Sequence, residues 1–231
     1  MRKISPQDVR DDFVTQISDL RNFYQAGFAG FVSDKDRSTL TEHSLLAAAV
    51  AWEGFVSDLF IAYINVDASR FKTHLVDSFN EHVKAQDKPN RVFQKYGKLQ
   101  LPNHLSKADV QSLANGSGSN ITFRNFDELV DRAAVWLIQA HADRFRNITA
   151  PQKALINSVI SLRNHVAHRS QRSLDAMNTS LAVGALHTTG IKRLGQKFHN
   201  VGAWLKATPV RGTEPRILTI FTNLEVIGAA C

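Results

Sequence analysis

The chain has 231 residues, 43% of them hydrophobic, and a formal net charge of +7 from 28 Lys and Arg against 21 Asp and Glu. This apolar content is enough for a buried core, which argues against a disordered chain. The length allows one sizeable domain, or one domain with an additional segment. The positive charge favours a polyanionic partner, although many proteins that bind no nucleic acid are equally basic. The lone cysteine, Cys231, excludes an internal disulfide and a zinc site of paired cysteines, and it fits a reducing cytoplasm.

The N-terminal segment and the most apolar segment both argue against a membrane protein. The first turns acidic where a signal peptide would need an apolar stretch. The second, residues 44–64, carries Glu53 and Asp58 in its interior, and a central charge is costly in lipid. We therefore expect a core helix at this segment, no membrane span and a cytoplasmic protein.

Apolar residues recur at helical spacing along most of the chain. The pattern predicts long helices over residues 5–28, 39–65, 67–86, 125–145 and 149–168, and shorter ones after Ser106 and over 173–183 and 192–206. Thr39 and Glu42 have the spacing of a capping box, which places the start of the second helix at Thr39. Residues 87–124 are otherwise expected to form an irregular insertion, with a flexible loop at 115–120.

The segment 216–227, with the sequence RILTIFTNLEVI, is rich in β-branched residues and is typical of a short strand or an edge hairpin. Four of the five long helices can build a core, since only 67–86 is polar and weakly amphipathic. Against this one strand candidate they favour an all-α, up-and-down helical bundle. We expect the bundle to occupy residues 1–170, and residues 171–231 to form a C-terminal extension packed on it.

The segment LRNHVAHRS, residues 162–170, brings Arg163, Asn164 and His168 close together at the end of an amphipathic helix. At about 100° per residue, Asn164 and His168 share a face roughly 40° apart, whereas Arg163 lies roughly 140° from His168. The three converge on one phosphate only if the helix distorts or a second subunit faces it. From spacing alone, polar side chains that bond the last helix carbonyls are the commoner explanation.

The pattern R-N-x-x-x-H at the end of the last core helix resembles the R-x(4–6)-H motif of HEPN domains, named for higher eukaryote and prokaryote nucleotide-binding proteins. The earlier sequence LLAAAVAWEGFVSDLF resembles the HEPN helix that carries an acidic residue, and Glu53 is the matching position. The resemblance covers about residues 39–169 and the first helix, and the insertion departs from a minimal bundle. It implies a site formed by Arg163, Asn164, His168 and Glu53.

The resemblance also implies an activity, a metal-independent endoribonuclease of the toxin or defence kind. The 2′-OH of RNA attacks the adjacent phosphate, and the products are a 2′,3′-cyclic phosphate and a 5′-hydroxyl. His168 would move a proton near neutral pH, Arg163 would stabilise charge on the phosphoryl oxygens, and Asn164 would orient His168 or donate to the phosphate. No cofactor is expected. The expected partners are RNA, a second copy of the chain and a nucleotidyltransferase-like antitoxin.

A non-catalytic HEPN module, which serves dimerisation, RNA binding or protein interaction, is the alternative function. The role of Glu53 is open as well. It could pair with Arg163 and position it, form a salt bridge without catalytic consequence, or lie exposed at the edge of the bundle.

The two histidines of the motif segment, His165 and His168, could share a metal ion. No carboxylate or cysteine lies nearby in the sequence, so we expect no metal.

The basic residues that follow the motif either bind along an RNA backbone or form a solvated face. They are Arg169, Arg172, Lys192, Arg193 and Lys197.

Overall fold

A computed structural model of the protein describes residues 5–85, 97–114, 120–210 and 212–231. Within these ranges the chain forms α-helices, one 3-10 helix and connecting loops, and no strand, so the predicted all-α fold class is confirmed. The helices are α1 (Pro6–Gly30), α2 (Asp34–Val66), α3 (Ser69–Ala85), α4 (Lys107–Ala114), α5 (Phe126–Trp136), α6 (Gln139–Arg146), α7 (Ala150–His168), α8 (Gln171–Ser180), the 3-10 helix (Gly184–Thr189), α9 (Val201–Lys206) and α10 (Arg216–Ala230). The loop predicted at 115–120 lies almost wholly outside the described residues.

The first two helices begin at serine caps. The Ser5 hydroxyl accepts a hydrogen bond from the Asp8 amide at 3.2 Å, and Pro6 lies in the first turn of α1. The second helix begins at Asp34 rather than at Thr39, because Ser33 caps it and two aspartates in its first turn favour a helix N-terminus. The capping role predicted for Glu42 is therefore wrong.

The helix α2 runs through the centre of the protein. Residues 59–64 are all buried, which shows that neighbouring helices surround this part of α2 on every side. Phe55 stacks on Phe13 of α1 at a centroid distance of 4.2 Å, and Phe60 packs on Phe145 of α6 at 5.2 Å. By length and composition α2 could cross a membrane, but 61% of its most apolar window is buried inside the protein, which fits the predicted core helix.

The single helix predicted over 125–145 is in fact two helices. Asn125 caps α5, and its side chain accepts a hydrogen bond from the Glu128 amide at 2.8 Å. The backbone then becomes extended at Leu137 and Ile138, and α6 starts at Gln139. Leu137 is buried at this break, so it fills the core while the chain changes direction.

The strand or hairpin predicted over 216–227 is wrong, because this segment is the helix α10. Its buried side chains recur at the spacing of a helix face: Ile217, Ile220, Phe221 and Leu224. This face packs on α1, and a Cβ on Gly228 would lie 2.4 Å from the ring of Phe13. Burial against α1 outweighs the strand preference of the β-branched residues.

The rest of the C-terminal extension is less helical than predicted. Over 192–206 only α9 is helical, and Gly190 and Gly195 take positive φ in the loop before it. The extension packs on α1, α2 and α7. The domain boundary at residue 170 stays a prediction.

Candidate functional site

The helix α7 carries the R-N-x-x-x-H motif in its last two turns. Pro151 lies in its first turn, and the Thr149 amide donates to the side chain of Gln152 at 3.1 Å, so the helix begins where the sequence predicted. Four apolar side chains fix the helix on the core: Leu155, Ile156, Val159 and Leu162. This anchoring leaves the polar residues of the motif on the outward side.

Arg169 ends α7 in the left-handed region, with φ 50° and ψ 24°, and no other described non-glycine residue has a positive φ. This conformation is unfavourable for a residue with a Cβ. An ion pair compensates, since the Arg169 guanidinium meets the carboxylate of Glu42 on α2. The end of the motif helix is therefore fixed against the central helix.

Glu42 also joins a third element to this contact. Its second carboxylate oxygen accepts a hydrogen bond from the amide of Gly202 in α9 at 3.1 Å. The helices approach so closely here that a Cβ on Gly202 would lie 2.3 Å from the carbonyl oxygen of Ser38. Glu42 thus connects α2, the C-terminus of α7 and the C-terminal extension.

Arg163 and Glu53 form the pair that the sequence predicted as one possibility. The guanidinium Nη2 lies 3.4 Å from Glu53 Oε2, and Nη1 donates to Asn164 Oδ1 at 3.0 Å. The two charged side chains are 30% and 34% exposed, so the pair lies at the protein surface rather than in the core. Arg163 is held from both sides, by a carboxylate on α2 and by its neighbour in the motif.

Asn164 and His168 line one surface groove, as their shared helix face predicted. The groove has a volume of about 300 Å³. Its other lining residues are Ser161, Ser170, Arg172, Ser173 and Ala176. Arg163 does not line it but borders it through its hydrogen bond to Asn164.

The two histidines of the motif differ sharply in their surroundings. His168 is exposed, and its ring has no hydrogen-bond partner in the part of the chain that the structure describes. His165 is buried, its Nδ1 lies 3.1 Å from the Ser173 hydroxyl, and burial, followed by the nearby Arg169 charge, lowers its pKa. His165 therefore supports the junction of α7 and α8, while His168 is available to exchange a proton.

A model of the RiboL-PSP-HEPN family matches residues 11–185, well over half of the chain. The chain belongs to the RiboL-PSP-HEPN family. The match runs from α1 through α8 and includes Glu53, Arg163, Asn164 and His168. Family membership suggests a ribonuclease or another RNA-related function. No curated protein and no solved structure is significantly similar to the chain.

The HEPN match ends before α9, although α9 contributes to the surroundings of the motif. Gly202 reaches Glu42 and, through it, the end of α7. Sequence reasoning missed this role of Glu42, because an acidic residue three positions after a threonine is also the local pattern of a capping box. It also did not distinguish Arg172 from the other basic residues after the motif.

In the described ranges of this HEPN chain, no group of three or more His, Cys, Asp and Glu side chains lies close enough together to hold a metal ion. The groups that the motif brings together are the imidazole of His168, the amide of Asn164 and a guanidinium held by two partners. Such groups exchange protons and bind phosphate oxygens.

Proposed function

We propose that this HEPN protein is a metal-independent endoribonuclease that cleaves RNA through attack of the 2′-OH. The observation that carries the proposal is the arrangement of His168 and Asn164 in one groove, with Asn164 bonded to an Arg163 that Glu53 holds. A base, a hydrogen-bond donor and a cation are the groups that this reaction needs from a protein.

The reaction makes one bond and breaks another at phosphorus. The 2′-oxygen bonds to phosphorus as it loses its proton, the bond to the 5′-oxygen breaks, and that oxygen takes up a proton. His168 serves one of these proton transfers, because its ring is exposed and unpartnered in the described part of the chain. The products are a 2′,3′-cyclic phosphate and a 5′-hydroxyl.

Arg163 stabilises the charge that grows on the phosphoryl oxygens. Two of its N–H groups bond Glu53 and Asn164, which leaves others of its five donors for a phosphate. Because Glu53 and Asn164 fix the guanidinium before substrate binds, less freedom is lost in the transition state. Glu53 is thus a positioning residue.

A homodimer supplies the second proton-transfer group that one chain lacks. Cleavage requires one group that takes a proton and another that gives one, and a single motif offers only one exposed histidine. Beside Glu53, α2 presents an uncovered face: Val50 is 59% exposed, and a Cβ on Gly54 would meet no atom within 4 Å. A second copy docked on this face would bring Arg163 of one chain near His168 of the other across a two-fold axis.

The family resemblance further supports a toxin or defence role, restrained by a nucleotidyltransferase-like antitoxin, and both follow from the resemblance alone. The lone cysteine, Cys231, fits the proposed cytoplasmic location.

The test of the proposal is the variant His168→Ala with a single-stranded RNA substrate. We expect cleavage to fall by at least about 100-fold, the usual contribution of a general acid or base. The matched control is His187→Ala, which removes another exposed histidine, outside the groove, and should cleave at the wild-type rate. His165→Ala should keep most of its activity once circular dichroism has shown that it folds.

The second arm of this test adds excess EDTA to the wild-type protein. Cleavage should persist, and mass spectrometry should find the cyclic phosphate. Loss of cleavage that a divalent ion restores would contradict the mechanism. A protein that binds RNA without cutting it would instead support the non-catalytic HEPN module.

A further inference from the structure

The structure separates the basic residues that follow the motif. Arg169 and Lys197 are held in ion pairs, and Arg193 donates to two backbone carbonyl oxygens. Lys192 does not line the groove of His168. Only Arg172 both lines this groove and has a side chain without a hydrogen-bond or ion-pair partner among the described residues.

The groove around Arg172 is suited to an anion. None of the seven residues that line it is acidic. Of its three serines, Ser170 and Ser173 bond each other in the cap of α8, and Ser161 has no hydrogen-bond partner among the described residues. The acidic residue of the adjoining helix α8, Asp175, is already bonded, to Lys197 at 2.9 Å and to Gln171 at 3.1 Å. The positive charge of Arg172 is therefore not cancelled locally.

We infer that Arg172 binds a phosphate of the RNA that flanks the scissile one, so that the groove holds the substrate on both sides of His168. This inference rests on the proposed ribonuclease function. Arg163, which bonds Asn164 but does not line the groove, is the proposed cation for the scissile phosphate, and this leaves Arg172 for a different phosphate. Arg172 lies in the first turn of α8, after the end of α7, and lines the same groove as His168. A guanidinium matches a phosphate with two parallel hydrogen bonds, which a lysine ammonium does not reproduce.

The first experiment measures binding of a 2′-O-methyl RNA octamer, which cannot be cleaved, by fluorescence anisotropy from 50 to 200 mM salt. Arg172→Ala should bind about tenfold more weakly, and its slope of log K against log salt should be smaller by about one. Arg172→Lys should bind with intermediate affinity. The matched control is Lys107→Ala, which removes an exposed cation outside the groove and should lose less than twofold.

The second experiment compares cleavage of two substrates. With RNA that carries phosphates on both sides of the cleaved bond, Arg172→Ala should raise KM about tenfold and change kcat less than twofold. With a dinucleoside monophosphate, which has only the scissile phosphate, wild type and Arg172→Ala should be within twofold of each other.

Three results would overturn the inference, and they differ from failure of the proposed function. Equal affinity of wild type and Arg172→Ala for the octamer would show that Arg172 does not contact RNA. An equal loss of kcat on both substrates would place Arg172 on the scissile phosphate. Wild-type protein that neither binds nor cleaves RNA would overturn the ribonuclease proposal and this inference with it.

Discussion

Glu53 and Arg163 face each other across α2 and α7 with both side chains about one-third exposed. An ion pair of this exposure contributes only about 0–1 kcal/mol to stability, because water and salt screen it. The contribution proposed for the pair is therefore the orientation of Arg163 rather than stability. A variant at Glu53 can therefore change catalysis without changing stability. Such a variant distinguishes a residue that positions Arg163 from a salt bridge without catalytic consequence.

We expect Glu53→Gln to lower kcat about tenfold while the free energy of unfolding changes by less than about 1 kcal/mol. The amide keeps the size of the side chain but removes the charge that holds the guanidinium. Steady-state kinetics and urea unfolding measure the two quantities. The matched control is Asp58→Asn on the same helix, which weakens the exposed 3.3 Å pair with Lys107 and should leave kcat unchanged. A wild-type kcat for Glu53→Gln would reduce the pair to an ordinary surface salt bridge.

Arg169 shows how the end of one helix combines strain with a compensating contact. Its left-handed backbone favours glycine, and its side chain pairs with Glu42. Replacing it by alanine or by glycine removes the ion pair in both cases, but only glycine relieves the backbone.

We expect Arg169→Gly to be more stable than Arg169→Ala by about 1 kcal/mol, the usual preference of this conformation for glycine. Urea unfolding of the two variants under identical conditions measures the difference. Equal stabilities would indicate that α7 does not end in the left-handed conformation.

Most helices were predictable from the sequence because their apolar residues recur at helical spacing. The start of α2 was not, since Ser33 and the pair Thr39 and Glu42 are both acceptable local caps, and the choice between them depends on a long-range contact. Glu42 is occupied by Arg169 and Gly202, both more than 120 residues away in the chain. The helix α10 was missed for a related reason, because β-branched residues obscured a helical period that packing on α1 requires.

The candidate site was predictable as a set of residues but not as an arrangement. Helical geometry placed Asn164 and His168 on one face, and the structure agrees. It could not show that Asn164 bonds Arg163, or that the guanidinium in the groove of His168 belongs to Arg172. Both depend on side-chain rotamers and on the turn into α8, which no periodicity encodes.

At the scale of the whole molecule, the proposed dimer makes the activity depend on concentration. We expect the activity per chain to fall on dilution below the dimer dissociation constant, because half of each composite site then leaves with the partner. Val50→Glu should give an inactive monomer, since it places a charge on the uncovered face of α2 beside Glu53. Light scattering and specific activity measured on the same samples test this.

The control for Val50→Glu is Val226→Glu on α10, a valine that is also more than half exposed but that lies on a different helix. It should remain dimeric and active. A dilute wild-type monomer that keeps full activity per chain would refute the composite site.

The contact between Gly228 of α10 and Phe13 of α1 joins parts of the chain that are made at very different times. A ribosome adds roughly 5–20 residues per second, so α10 follows α1 by on the order of ten to forty seconds. During that interval the face of Phe13 that Gly228 later covers stays exposed on the nascent chain, and for most of it Glu42 lacks its hydrogen-bond partner Gly202. Chaperones and proteases can therefore bind the nascent chain before the contacts that support the C-terminus of α7 are complete. Slower translation prolongs this period.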